Sequence, residues 1–236
     1  MPSDAYGMSA VPPPELFTLP RVQPPKQVEE QLKLEAEYRR LKGKVEELQK
    51  PKVDEPTALM AEDILAWFTG LDTSTEHGKD TPTRFLNMLD ELTACRNCGG
   101  QCIKWKKFKA ETDEMIIVKK IPFVSVCNHH IIPFVGEARI GYVPDEWEAG
   151  LSKFGRMVQH YARKLQTQER LTDLITEALQ SSLQPKGVIV QLEAEHMCMT
   201  VRGVQMPGAT TVTTKTLGVF ADHTKTAKME FLEGIK

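Results

Sequence analysis

The chain has no apolar run of transmembrane length. Its opening "MPSDAYGMSAVPPPELF" has neither the basic start nor the apolar segment of a secretory signal. These absences argue against a membrane partner and lead to the expectation of a cytoplasmic protein. A basic excess is missing too: 30 Lys and Arg stand against 32 Asp and Glu, for a formal net charge of -2. Phosphate backbones are held by surplus cations, so nucleic acid is not expected as the main partner. No internal repeat is visible. Cysteine is scarce, five in 236 residues, and there are six histidines. In a reducing compartment, so few thiols in two groups point to metal binding, catalysis or burial before disulfides.

What is present divides the chain. Residues 1–25 hold seven prolines, too many for helix or central strand, and read as an extended or disordered arm. Residues 26–56 form a helical extension and linker. In it Leu34, Tyr38, Leu41, Val45 and Leu48 recur at steps of four and three, and Pro51 and Pro56 mark the linker. Residues 57–236 remain as the main folded domain. Helices are predicted over "TALMAEDILAWFTG", stopping at Gly70, and over "TPTRFLNMLDELT", with Pro82 in its first turn. Strands are predicted in "MIIVKKIPFVSV" and "GEARIGYVP". Two more helices carry Phe154, Met157, Val158, Tyr161 and Leu165, then Leu171, Leu174, Ile175, Ala178 and Leu179. The strands "GVIVQLEAEHMCMTV" and "ATTVTTKTLGVF" close the chain. This order predicts an α+β domain, an antiparallel sheet covered by helices on one face.

Chemistry concentrates in two runs. Along "GVIVQLEAEHMCMTVRG", alternation places Val190, Leu192, Ala194, His196, Cys198, Thr200 and Arg202 on one face while the strand stays regular. In "VSVCNHHIIP", Cys127 and His130 are three apart, so the chain must turn for both to reach one ion, and Pro133 suits a turn. Cys127, His130 and Cys198 together form a Cys2His set, the kind that holds Zn2+ with a fourth position open to water. His129 or His196 could instead close the set as a structural site. Imidazoles beside a metal site also suit proton transfer near neutral pH.

In "GLSKFGRMVQHYARK", Ser152 is expected to cap a helix whose first turns carry Lys153 and Arg156. With Arg202 these cations could hold a phosphate, or they could form an ordinary solvated face. Gln168 and Glu169 at the next helix start are equally open. Glutamate complements a helix dipole there, while a guanine edge would need an amide and a carboxylate side by side. "CRNCGGQC" places Cys95, Cys98 and Cys102 at C-x2-C and C-x3-C spacing around two glycines, suited to a turn about an ion or a redox pair. Three cysteines do not complete a structural zinc site, although another side chain or a second chain could. Plain non-catalytic thiols are the expectation.

With these runs in order, from "AEDILAWF" onward, the chain resembles the GTP cyclohydrolase I family through "CNHHIIPFVGEARIGYVP", "GLSKFGRMVQHYARK", "QERLT", "EHMCMTVRG" and "ATTVTT". The resemblance implies the tunnelling fold (T-fold) and a homodecamer with active sites at subunit interfaces. It implies Zn2+ on Cys127, His130 and Cys198, and proton transfer by His129, His196 and Ser152. Lys153, Arg156 and Arg202 look like triphosphate contacts, and Gln168 with Glu169 looks like the guanine-reading pair. The implied reaction converts GTP to 7,8-dihydroneopterin triphosphate and formate, a product that feeds folate, tetrahydrobiopterin and 7-deazaguanine routes. Asn128 departs from the family's usual glutamate, and Leu165 stands where proline is frequent. Against full turnover stand a zinc-stabilised nucleotide-binding module and an enzyme that stops at a ring-opened intermediate. A nitrile reductase of the same fold would not require this zinc and triphosphate set.

Overall fold

The computed structural model describes Lys33, residues 35–38, Arg40 and residues 53–98, 103–222 and 226–236. Two units divide at Lys52. In the first, the described residues are helical and exposed. The proline-rich arm lies outside the described residues, as do Leu34, Leu41, Val45 and Leu48 of the expected stripe.

The second unit, Val53–Lys236, opens with α1 (Glu55–Thr69) and α2 (Thr81–Leu92). Asp54 caps α1 by accepting from Thr57 N at 3.0 Å, and Gly70 ends it in the left-handed region at φ 69°. Pro56 therefore falls in the first turn of α1, not in a linker, because its missing N–H has no helical partner to lose there. The strands and later helices are β1 (Lys107–Lys109), β2 (Ile116–Cys127), β3 (Pro133–Val143), β4 (Trp147–Ala149), α3 (Ser152–Ala162), β5 (Leu165–Gln166), α4 (Gln168–Leu183), β6 (Gly187–His196), α5 (Met197–Thr200), β7 (Thr210–Gly218) and α6 (Ala227–Gly234). The main sheet runs β5-β2-β3-β6-β7, antiparallel except for the short β2–β5 pairing, and β1 pairs with β4 beside it.

One face of this sheet is covered by α3 and α4. The core between them holds Phe123, Phe134, Ala138, Ile140, Val190 and Leu192 against Phe154, Met157, Val158, Leu171, Ile175 and Leu179. Each of the Phe, Ile, Val, Leu and Met side chains among them, withdrawn from water, contributes about 1.5–3 kcal/mol. The opposite face is more polar and carries the Arg139–Glu193 ion pair at 2.7 Å, with a small apolar cluster of Ile189, Phe220 and Phe231 at one end. The expected α+β architecture, an antiparallel sheet with helices on one face, is thus the one observed.

An irregularity in β2 decides where the chemistry points. Val118 pairs with Ile140 but Ile121 pairs with Ala138, so three steps on β2 oppose two on β3. This β-bulge at Lys119 and Lys120, with Lys120 at φ 59°, reverses the alternation. Before it, Ile116 and Val118 pack on the helix-side core; after it, Ile121, Phe123 and Cys127 do. Without the extra residue Cys127 would point to the polar face.

Candidate active site

Cys127 is the last residue of β2 and is buried. The chain turns back through Asn128–Ile131: Ile131 N donates to Cys127 O at 2.9 Å and Cys127 N to Ile132 O at 3.0 Å. Closing so tightly forces Ile131 to φ 55°, a left-handed conformation that is costly for a β-branched residue. Pro133 follows the turn as the first residue of β3.

On the facing side, β6 alternates as expected only as far as His196. Its ladder to β7 ends at Glu195 and its ladder to β3 ends at His196. The regular strand expected through Arg202 is therefore corrected: Met197–Thr200 coil into the short helix α5. Glu195 locks that coil, its carboxylate accepting from Thr200 Oγ1 at 3.0 Å and Gly208 N at 2.9 Å. Cys198 consequently reaches the corner from a helical turn.

The result is a Cys2His group in which one donor atom each from Cys127, His130 and Cys198 lies within 4.8 Å of the others. Burial, then the neighbouring Cys127 thiol, push the Cys198 thiol up, while the Arg202 charge acts the other way. A dication beside the Cys198 thiol would oppose that rise and favour the thiolate. The donor chemistry therefore fits a borderline-soft divalent metal with three protein ligands. Neither His129 nor His196 joins the group. His129 is exposed, with Nδ1 3.9 Å from Cys127 Sγ.

His196 is held by other means. Its ring stacks on Phe134 with centroids 4.7 Å apart and planes 3° from parallel. Its Nε2 lies 2.8 Å from Gln168 Oε1. Gln168 is 1% exposed, and its amide nitrogen donates to Leu192 O (3.2 Å), Thr211 O (2.9 Å) and Thr213 Oγ1 (3.1 Å). Only an NH2 group can face two carbonyls, so the carboxamide oxygen faces His196 and the imidazole proton must be on Nε2. Nδ1 of the neutral ring then keeps its lone pair. Burial lowers the His196 pKa from its ordinary value, and the Glu169 charge partly opposes this. Glu169 is exposed on the first turn of α4, whose N-cap Thr167 accepts from Arg170 N at 3.2 Å.

The remaining expected residues do not join the Cys2His group. Ser152 is not the cap of α3: Leu151 occupies that position, because Lys153 N→Gly150 O and Phe154 N→Leu151 O bonds start the turn earlier. Ser152 and Arg156 line a depression of about 500 Å³ with Cys95, Gly155, Gln159, His160 and Arg163, and Lys153 is half-buried beside them in sequence. The end of α3 that leads into β5 is the end near Cys127, because β5 pairs with Val126 and Cys127. Ser152 begins this 11-residue helix, about 15 Å away along its axis. Arg202 is exposed in the loop after α5. Sequence reading missed Phe134, Glu195 and the internal bonds of Gln168. Phe134 could have been found from the strand parity that pairs it with His196.

Fold and site define an α+β protein with a Cys2His metal-type corner and a positioned histidine beside it. A sequence model of the family described as GTP cyclohydrolase I matches residues 58–236. A GTP cyclohydrolase 1 of Halalkalibacterium halodurans is 42% identical over 186 residues, 78% of this chain and 98% of the relative. One from Aquifex aeolicus is 41% identical over 191 residues, 80% of this chain and 98% of the relative. One from Gloeobacter violaceus is 53% identical over 121 residues, 51% of this chain and 56% of the relative. A solved archaeosine synthase QueF-Like structure aligns with 46% of this chain and 97% of its own at TM-score 0.39 and 18% identity. The chain belongs to the GTP cyclohydrolase I family.

Proposed function

We propose that residues 57–236 hydrolyse GTP and rearrange it to 7,8-dihydroneopterin triphosphate with release of formate. The observation that carries this reading is the convergence of Cys127, His130 and Cys198 beside a histidine whose Nδ1 is left free. Zn2+ held by these three residues would supply the Lewis acid that makes water nucleophilic near neutral pH. His196 would accept a proton at Nδ1, its orientation fixed by Gln168 and Phe134, and the exposed His129 would pass protons to and from solvent. Glu169 would accept hydrogen bonds from the two N–H donors of the guanine edge, which adenine lacks. Gln168, whose amide is taken up by Leu192 O, Thr211 O, Thr213 Oγ1 and His196, would hold the site's shape beside Glu169. Lys153, Arg156 and Arg202 would bind the triphosphate, with Ser152 beside them in proton transfer.

The length of α3 between Ser152 and the metal corner supports a further part of the proposal. Lys153 and Arg156 of one chain serve the metal corner of another, where Arg202 already stands close enough to act on Cys198, in a homo-oligomer that the family resemblance makes a decamer. Among the described residues no helix is long and apolar enough to cross a membrane. Cytoplasmic residence, which keeps thiols reduced, completes the reading.

The test is zinc-loaded protein incubated with GTP while formate and pterin are followed together by mass-resolved chromatography. Formate with dihydroneopterin triphosphate is expected. Bound GTP without formate would make the chain a binding module, and a ring-opened product would make it a truncated cyclohydrolase.

A further inference from the structure

A second group of metal-competent atoms converges away from the Cys127 corner, where the turn after α2 meets the C-terminal end of α3. Donor atoms of Cys95, Cys98 and His160 all lie within 4.8 Å of one another. Cys95 Sγ is 3.3 Å from His160 Nδ1, a contact across 65 positions of sequence. The turn is fastened by its backbone: Cys95 N donates to Arg163 O at 3.0 Å and Cys98 N to Cys95 O at 3.1 Å. Lys164 Nζ adds a bond to Cys98 O at 3.3 Å. All three side chains are half-buried, and both cysteines are free thiols.

A single thiol–imidazole hydrogen bond would need only Cys95. Here the C-x2-C turn also brings Cys98 to the same imidazole, and this spacing followed by a remote histidine is the pattern of zinc-binding turns. Two sulfurs and one nitrogen suit a borderline-soft divalent ion and do not suit calcium or magnesium, which take oxygen. The group contains no fourth described Cys, His, Asp or Glu, so one coordination position is left over.

We propose that Cys95, Cys98 and His160 form a second metal site, of zinc type, that staples the turn after α2 to the end of α3. Cys95 and His160 also line the depression shared with Ser152 and Arg156, so an ion there would stiffen one wall of that groove. The proposal concerns metal binding and does not depend on the reading of GTP turnover.

The experiment uses the full, assembled chain, stripped by chelator under reductant and then titrated with Zn2+ alone. Elemental analysis should find two zinc ions per chain in the parent, one in Cys95→Ser/Cys98→Ser and one in Cys198→Ser. With cobalt substituted, the double variant should lose part of the thiolate-to-metal charge-transfer absorption, and His160→Gln should weaken the second equivalent at least tenfold. No zinc retained by Cys198→Ser at saturation, or a zinc count in the Cys95→Ser/Cys98→Ser variant equal to the parent's, would overturn the proposal. Should the variants fail to assemble, the parent protein still decides. Zinc should protect Cys95 and Cys98 from alkylation mapped by peptide mass, and alkylation at the metal-free rate, or a Cys95–Cys98 disulfide in reduced zinc-saturated protein, counts against the site.

Discussion

Replacing Gln168 by glutamate preserves shape while removing two hydrogens, and the groups enclosing the amide set the cost. The amide nitrogen faces Leu192 O, Thr211 O and Thr213 Oγ1. The Thr213 hydroxyl cannot turn to donate instead. Thr172 Oγ1 already gives its proton to Gln168 O at 2.8 Å, so Thr213 gives its own to Thr172 Oγ1 at 2.7 Å. Two net hydrogen bonds are lost at about 1 kcal/mol each. An oxygen then faces three acceptors inside the protein, only partly offset by His196, so a total near 3 kcal/mol is expected at about pH 8. Because the charged form is the one penalised, burial should raise the new carboxyl above its unfolded value. The folded state then binds the extra proton more readily, and the deficit should shrink as pH falls through that raised pKa. Thermal unfolding of parent and Gln168→Glu at equal chain concentration, at about pH 8 and about pH 5.5, measures this directly. Coincident midpoints at both pH values would refute the hydrogen-bond assignment, and a deficit that grew on acidification would refute the charge argument.

Three other changes separate the roles at the site, and a fourth tests the sheet beneath it. Cys198→Ser should lose metal and turnover together, whereas His196→Ala should keep its metal and slow the reaction by roughly 10²–10⁴. Equal metal loss in both would make His196 a ligand. Glu169→Gln should relax discrimination of GTP from ATP more than it weakens triphosphate binding; unchanged selectivity in competition assays would remove Glu169 from the guanine edge. Gly136→Ala should destabilise by about 3 kcal/mol or more, because the new Cβ would collide with Glu193 O and Ala194 across the β3–β6 ladder. Denaturant unfolding close to the parent's would show that the ladder gives way more easily than its close approach implies.

Local patterns carried the sequence reading far. The apolar spacing of Phe154, Met157, Val158 and Tyr161 marks α3 because a helix packed on one face must repeat that way. The same is true of Leu171, Ile175 and Leu179 in α4. The convergence of Cys127, His130 and Cys198 was legible because few thiols and imidazoles are present and two of their runs end strands. What escaped was set by distant partners. The coil at Met197 depends on where β7 and β3 stop pairing with β6. The reversal at Lys119 and Lys120 is visible in sequence only as an apolar alternation that changes phase after two lysines. His160 reads as one more position on α3, and only packing brings Cys95 and Cys98 to it. Gln168 resembles an ordinary helix start until its amide is found enclosed by two strands.

The spacing along α3 has a consequence for mixtures. If metal corner and cation group belong to different chains at each site, a chain lacking Cys198 and a chain lacking Arg156 fail for complementary reasons. Co-assembled in equal amounts, they should recover activity at about a quarter of the sites, where an intact corner meets an intact cation group by independent draws. A chain that housed its whole site internally could never be rescued by an equally crippled neighbour.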